Sequence, residues 1–114
     1  ERHHNQKADA PSGTALMLGQ AAADGAGLDL KSSQVDGRTG HPGARTKEEI
    51  GFHAVRGGDI VGDHTVLMAG TGEMIELSHR ATSRDTFAVG ALNAGAWAVT
   101  QTPGLYSMKD VLGL

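Results

Sequence analysis

The sequence predicts an α+β fold: a mixed, mainly antiparallel sheet of about four strands, with helices on one face and the other face in subunit contacts. Two observations carry that expectation. Residues 49–56, 60–69 and 73–81 alternate and are rich in β-formers, with Gly57-Gly58-Asp59 and Gly70-Thr71-Gly72 as reversals, which reads as an antiparallel meander. Residues 12–24 and 84–101 instead place apolar side chains at helical spacing, each run behind a serine.

The first helix is expected to begin at about Ser12. Pro11 disfavours helix for Ala10, Ser12 is a good N-cap, and Ala15, Leu16, Leu18, Ala21 and Ala22 give the helical period, with Asp24-Gly25-Ala26-Gly27 as the stop. Residues 33–36 suit a short strand. Residues 37–47 are too rich in glycine and charge for regular structure, so they are read as an exposed loop. Arg38, His41 and Arg45 in that loop are either merely solvated or help to close over a ligand or a neighbouring subunit. Ile60, His64, Val66 and Met68 alternate with Val61, Asp63, Thr65 and Leu67. Apolar side chains therefore occur on both faces of this strand, and each face needs cover, one from helices and one from a partner subunit. Ser83 is the expected cap of the last helix, with Phe87, Ala91, Leu92, Ala96 and Val99 as its stripe and Pro103-Gly104 as its stop. Trp97 reads as packing.

Composition narrows the function. The 114 residues suffice for one domain with a single core, and 39% hydrophobic with 20% charged residues is ordinary for a globular chain. A formal net charge of −3, with Lys and Arg scattered, argues against nucleic acid as the partner. Without cysteine there is no disulfide framework and no thiolate metal site, and a reducing compartment is permitted. No run approaches the ~18 apolar residues of a membrane span, so no membrane role is expected.

Most of the plausible chemistry lies in residues 1–15. A helix beginning near Ser12 leaves the first backbone N–H groups, on Gly13 and Thr14, without partners and at the positive end of the helix dipole. Gly13 offers no side chain to obstruct an anion, and the hydroxyls of Ser12 and Thr14 add donors, so a carboxylate or phosphate suits this position. Pro-Ser-Gly-Thr alone would be an ordinary cap. His3, His4 and Lys7 change the balance, since they add two imidazoles and an ammonium just upstream. At a strand end His3 and His4 point to opposite faces, which suggests separate tasks: one for proton transfer, one for binding. His41, His53, His64 and His79 are each read as structural.

The stretch Glu-x-His-His-x-x-Lys-x-Asp-Ala-Pro-Ser-Gly-Thr-Ala, from Glu1 to Ala15, resembles the signature of the dihydrodipicolinate reductases. The resemblance continues through Arg38, Gly40-His41, Gly43, Arg45, Ile50-Gly51-Phe52, Val55-Arg56, residues 58–62, His64-Thr65, Ser83-Arg84, Thr86-Phe87 and Asp110-Val111-Leu112, nearly the whole chain. It implies an NADH- or NADPH-dependent oxidoreductase of lysine and diaminopimelate biosynthesis, which reduces 4-hydroxy-tetrahydrodipicolinate to tetrahydrodipicolinate. His3 is then the proton donor to substrate carbon and Lys7 a second donor. His4, Lys7, Ser12, Gly13 and Thr14 bind the cyclic dicarboxylate, and Arg84 lies near the nicotinamide. A cytoplasmic homotetramer built through the sheets is implied as well.

No G-x-G-x-x-G is present, and Gly37 to Gly40 and Gly70 to Gly72 have the wrong spacing for one. Residues 1–114 are therefore expected to be the C-terminal substrate-binding and tetramerisation domain. The N-terminal dinucleotide-binding domain is absent from this chain, which alone is expected to be inactive and to bind no nicotinamide nucleotide. In the family, the tail from 105 to 114 returns towards that absent domain. Two alternatives compete: a non-catalytic anion-binding or assembly module, and a metal-dependent hydrolase using His3, His4 and another histidine. The second is disfavoured because adjacent histidines in a strand are poor co-ligands and no H-E-x-x-H accompanies them; no metal is expected.

Overall fold

The computed structural model describes all residues from Glu1 to Leu114. The chain divides into two compact units, residues 1–82 and 83–114, each described by itself.

In the first unit a four-stranded mixed sheet has the order β4-β1-β5-β6, where β1 is Arg2–His3, β4 Val55–Arg56, β5 Gly62–Ala69 and β6 Met74–Ala81. β1 runs parallel to β4 and antiparallel to β5, and β5 and β6 form a long antiparallel hairpin. The α+β class and the mainly antiparallel sheet agree with the sequence. The hairpin closes where expected, with Gly72 at φ +80° and the Gly70 N–H donating to the Glu73 carbonyl.

The three-stranded meander is corrected. Residues 49–56 do not form one strand: β3 (Ile50–Phe52) leaves the sheet and pairs in parallel with β2 (Gln34–Asp36), while β4 pairs with β1. The break falls at His53-Ala54, between a segment claimed by one sheet and a segment claimed by another. A local alternation cannot reveal two distant parallel partners.

α1 (Gly13–Ala26) begins behind Ser12, whose Oγ accepts the Ala15 N–H at 3.2 Å, and ends at Gly27 in the left-handed conformation. Its buried residues are Gly19 and Ala23, one turn apart, while Met17 is exposed. The stripe is therefore narrower than the leucine-bearing one read from the sequence. Gly19 allows the closest approach, since a Cβ there would lie 2.1 Å from Cζ of Phe52. Phe52 and Ala23 are buried at this contact, and Ala81 at the end of β6 is the other buried apolar residue. So small a core leaves α1 and the sheet flanking an open groove of about 890 Å³, lined among others by Leu18, Phe52, His64, Val66 and Met68.

The opposite face of β5 and β6 is polar near β1. Asp63 takes Arg2 at 3.2 Å and Arg80 at 2.9 Å, and Thr65 pairs with Ser78. Towards the hairpin tip this face carries Leu67 and Met74, while Ile75 and Leu77 lie on the groove face opposite Met68 and Val66; all four are more than half exposed. α2 (Leu30–Ser33) is a single turn capped by Asp29. The 37–47 loop has no helix or strand and folds onto Glu49: Arg38 pairs with the Glu49 carboxylate and Arg45 donates to its carbonyl.

The second unit holds α3 (Asp85–Ala98) and α4 (Met108–Leu112). The residue at the N-cap of α3 is Arg84 rather than Ser83, although the Ser83 hydroxyl accepts the Asp85 N–H at 3.0 Å. Part of the 105–114 tail is helical, because Ser107 and Asp110 form a capping box. Trp97 packs edge-on against Tyr106 with ring centroids 5.0 Å apart.

Candidate functional site

The site grows from the middle of the four-stranded sheet. Residues alternate across a strand, so Glu1 and His3 project to one side of β1 and Arg2 to the other, towards Asp63. On the Glu1 and His3 side lies His64 of β5, its ring edge-on to His3 with centroids 5.0 Å apart and planes at 73°. The Ser12 hydroxyl lies 3.0 Å from Nε2 of His64. A continuous polar path thus runs from the centre of the sheet to the first turn of α1.

Glu1 is the hub of this path. His3 Nδ1 donates to its Oε2 at 2.5 Å, Arg56 donates to both oxygens at 2.8 Å, and the Ser12 backbone N–H reaches Oε1 at 3.3 Å. The Glu1 side chain is only 3% exposed. Burial would raise its pKa, but the hydrogen bonds from Arg56 and then His3 outweigh that penalty and lower it to about 2. The same carboxylate raises the pKa of Arg56. Burial, and then the neighbouring His3, push His64 below its ordinary range and favour a neutral imidazole.

Beyond β1 the chain turns. The Asn5 N–H donates to the Gly58 carbonyl, and the Lys7 N–H to that of His4. Lys7 Nζ donates to both Asp9 oxygens, at 2.7 and 2.8 Å, and that hydrogen bonding lowers the Asp9 pKa. Arg56 also donates to the Asp9 carbonyl at 2.7 Å, which ties the Lys7 turn to the Glu1 hub. His4 is partly exposed. At the helix start, Ser12 is buried and its hydroxyl is engaged by Ala15 and His64, while Gly13 and Thr14 are exposed. Nothing lies within 4 Å of where a Gly13 Cβ would stand. In the first turn of α1 the Ala15 N–H is taken by Ser12, which leaves the Gly13 and Thr14 N–H groups without a hydrogen-bond partner, as anion binding requires.

Among the residues singled out from sequence, hydrogen bonds join His3, Lys7 and Ser12 to one network through Glu1, Arg56 and Asp9, and Gly13 and Thr14 follow directly on Ser12. Arg84 lies at the head of α3, in the other unit. Sequence reasoning missed Glu1, Arg56 and His64 as members. Glu1 carried a usable signal, two residues before His3 on a strand. Arg56 and His64 did not, since only the pairing of β1 with β4 and β5 brings them in. No group of three or more His, Cys, Asp or Glu side chains is arranged to hold a metal ion.

The family model for the dihydrodipicolinate reductase C-terminus matches residues 1–112. The chain belongs to this family. Within it, 4-hydroxy-tetrahydrodipicolinate reductase of Halorhodospira halophila is 59% identical over 114 residues, all of this chain and 43% of that protein. The enzyme of the same name from Thiobacillus denitrificans is 60% identical with the same coverage. Among solved structures, the dipicolinate-bound dihydrodipicolinate reductase of Paenisporosarcina sp. TG-14 is similar at a TM-score of 0.56 and 29% identity, over 80% of this chain and 35% of that one. This chain thus spans under half the length of the reductases it matches.

Proposed function

We propose that this chain is the substrate-binding and assembly domain of a reductase that converts 4-hydroxy-tetrahydrodipicolinate to tetrahydrodipicolinate in lysine and diaminopimelate biosynthesis. The observation that carries the reading is the continuity of the Glu1-His3-His64-Ser12 path with the first turn of α1, where the Gly13 and Thr14 N–H groups have no hydrogen-bond partner. A proton-carrying imidazole and an anion grip are what protonation of a bound dicarboxylate needs.

The residues present do not fit a dinucleotide. No glycine-rich strand-to-helix turn occurs, and the parallel partners β2 and β3 are joined by a loop with no crossover helix. NADH or NADPH, which would supply the hydride, is accordingly assigned to an N-terminal dinucleotide-binding domain outside this chain, with Arg84 approaching the nicotinamide from here. His3 gives the proton to substrate carbon, and Lys7 is a second donor. The Gly13 and Thr14 N–H groups, the Thr14 hydroxyl, Lys7 and His4 hold the dicarboxylate, while Ser12 holds the turn in place from beneath. The exposed apolar residues Leu67, Met74, Ile75 and Leu77 support assembly through the hairpin into a homotetramer. The cytoplasm suits a cysteine-free biosynthetic enzyme.

Thr14→Val tests the anion grip, because it removes a hydroxyl donor and keeps both the shape and the backbone N–H. In the full-length reductase it should weaken the Kd for dipicolinate by about ten- to a hundredfold, the value of one hydrogen bond to a charged group. An unchanged Kd would remove Thr14 from the site.

A further inference from the structure

We propose that Glu1, anchored by Arg56, is a positioning residue that fixes the tautomer and plane of His3, so that Nε2 is the atom that delivers the proton. The inference rests on the proton-donor role given above to His3 and adds which nitrogen acts and what sets it.

Four hydrogen bonds converge on the Glu1 carboxylate, two on each oxygen: His3 Nδ1 and Arg56 Nη1 on Oε2, Arg56 Nη2 and the Ser12 N–H on Oε1. A carboxylate has about four acceptor sites, and here each faces a donor. No room is left for a proton on Glu1, so the hydrogen between Glu1 and His3 belongs to Nδ1. When the imidazolium gives up a proton, Nε2 is the nitrogen that releases it, and the neutral ring left behind is the Nδ1–H tautomer that Glu1 favours. The forked guanidinium of Arg56 holds both carboxylate oxygens at once, which sets the plane of Glu1 and through it that of His3. On the other side, the His64 ring stands edge-on, and Gly62 leaves space at Nε2. A Cβ on Gly62 would lie 3.3 Å from that nitrogen, tighter than an ordinary contact. The charged and titratable groups facing His3 are thus Glu1 from its own strand, Arg56 behind Glu1, and His64 from β5.

Glu1→Gln in the full-length reductase tests this. The Ser12 N–H and Arg56 Nη2, both fixed donors, keep the new carbonyl oxygen at the Oε1 position, which turns the new NH₂ towards His3 and makes Nδ1 an acceptor. In protein labelled with ¹⁵N-histidine and held at a pH where imidazole is neutral, the His3 signal should change from the Nδ1–H to the Nε2–H pattern. The kcat should fall by about 10–100-fold with KM for the dicarboxylate within about twofold, and Glu1→Asp should recover part of the loss. Arg56→Lys, which keeps the charge and loses the fork, should lower kcat in the same direction and spare KM. It serves as the second variant should Glu1→Gln not fold. An unchanged His3 tautomer in Glu1→Gln, or a kcat within twofold of wild type in whichever variant folds, would overturn the proposal. Absence of dicarboxylate reduction by the wild type would instead overturn the functional reading, and the ¹⁵N pattern would still decide the role of Glu1.

Discussion

Replacing His3 by alanine in the full-length reductase is expected to lower kcat by roughly 10²–10⁴ while leaving substrate affinity nearly intact. The separation follows from the geometry. The proposed anion grip comprises the start of α1 and the Lys7 turn, whereas His3 lies in the sheet at the Glu1 hub. Removal of the imidazole leaves the Glu1 carboxylate with Arg56 and the Ser12 N–H, so the hub keeps most of its hydrogen bonds. Steady-state kinetics with a melting curve separate the two roles. A correctly folded His3→Ala enzyme of near-normal kcat would show that the imidazole is structural.

Arg56→Ala should have the largest effect on stability. Glu1 is buried, and without the guanidinium its carboxylate must either stay charged and poorly paired or take up a proton. Removing the guanidinium takes away the two-pronged partner of the Glu1 carboxylate, so the variant should unfold at lower denaturant than the wild type. The pH dependence gives the claim a sign. The folded-state pKa of Glu1 is about 2, below its ordinary value of 4.5. Its contribution is therefore fully present above pH 4.5 and is lost as the pH falls from there towards 2. Arg56→Ala removes the main cause of that depression, so the gap between wild type and variant should be wide at pH 7 and should narrow in acid. Denaturant titrations at pH 7 and pH 3 measure it, and an equal gap at both would exclude the Glu1 pair as the cause.

Local signals were readable in the sequence, and distant pairings were not. Ser12 ahead of an apolar period marked the start of α1, and Gly70-Thr71-Gly72 marked the hairpin, because a cap and a tight turn are written in a few adjacent residues. Residues 49–56 misled because their alternation is genuine but is divided between two sheets, each completed by a strand far away in sequence. The same limit hid Arg56 and His64, which reach the site only through the neighbours of β1. The loop at 37–47 was correctly irregular, yet nothing local indicated that Arg38 and Arg45 would fold back onto Glu49. Ser12 was grouped with the exposed donors of the anion site. Its hydroxyl instead points inward to Ala15 and His64, a consequence of the sheet lying beneath the helix start.

The central claim is that the dicarboxylate is held at the first turn of α1, beside the Glu1-His3 hub. The most direct measurement is a dipicolinate titration of the ¹⁵N-labelled full-length reductase, following the backbone amides of Gly13 and Thr14. Both signals should move in a saturable way as their N–H groups take the carboxylate. Saturation of the protein with neither signal moving would place the substrate elsewhere and contradict the account.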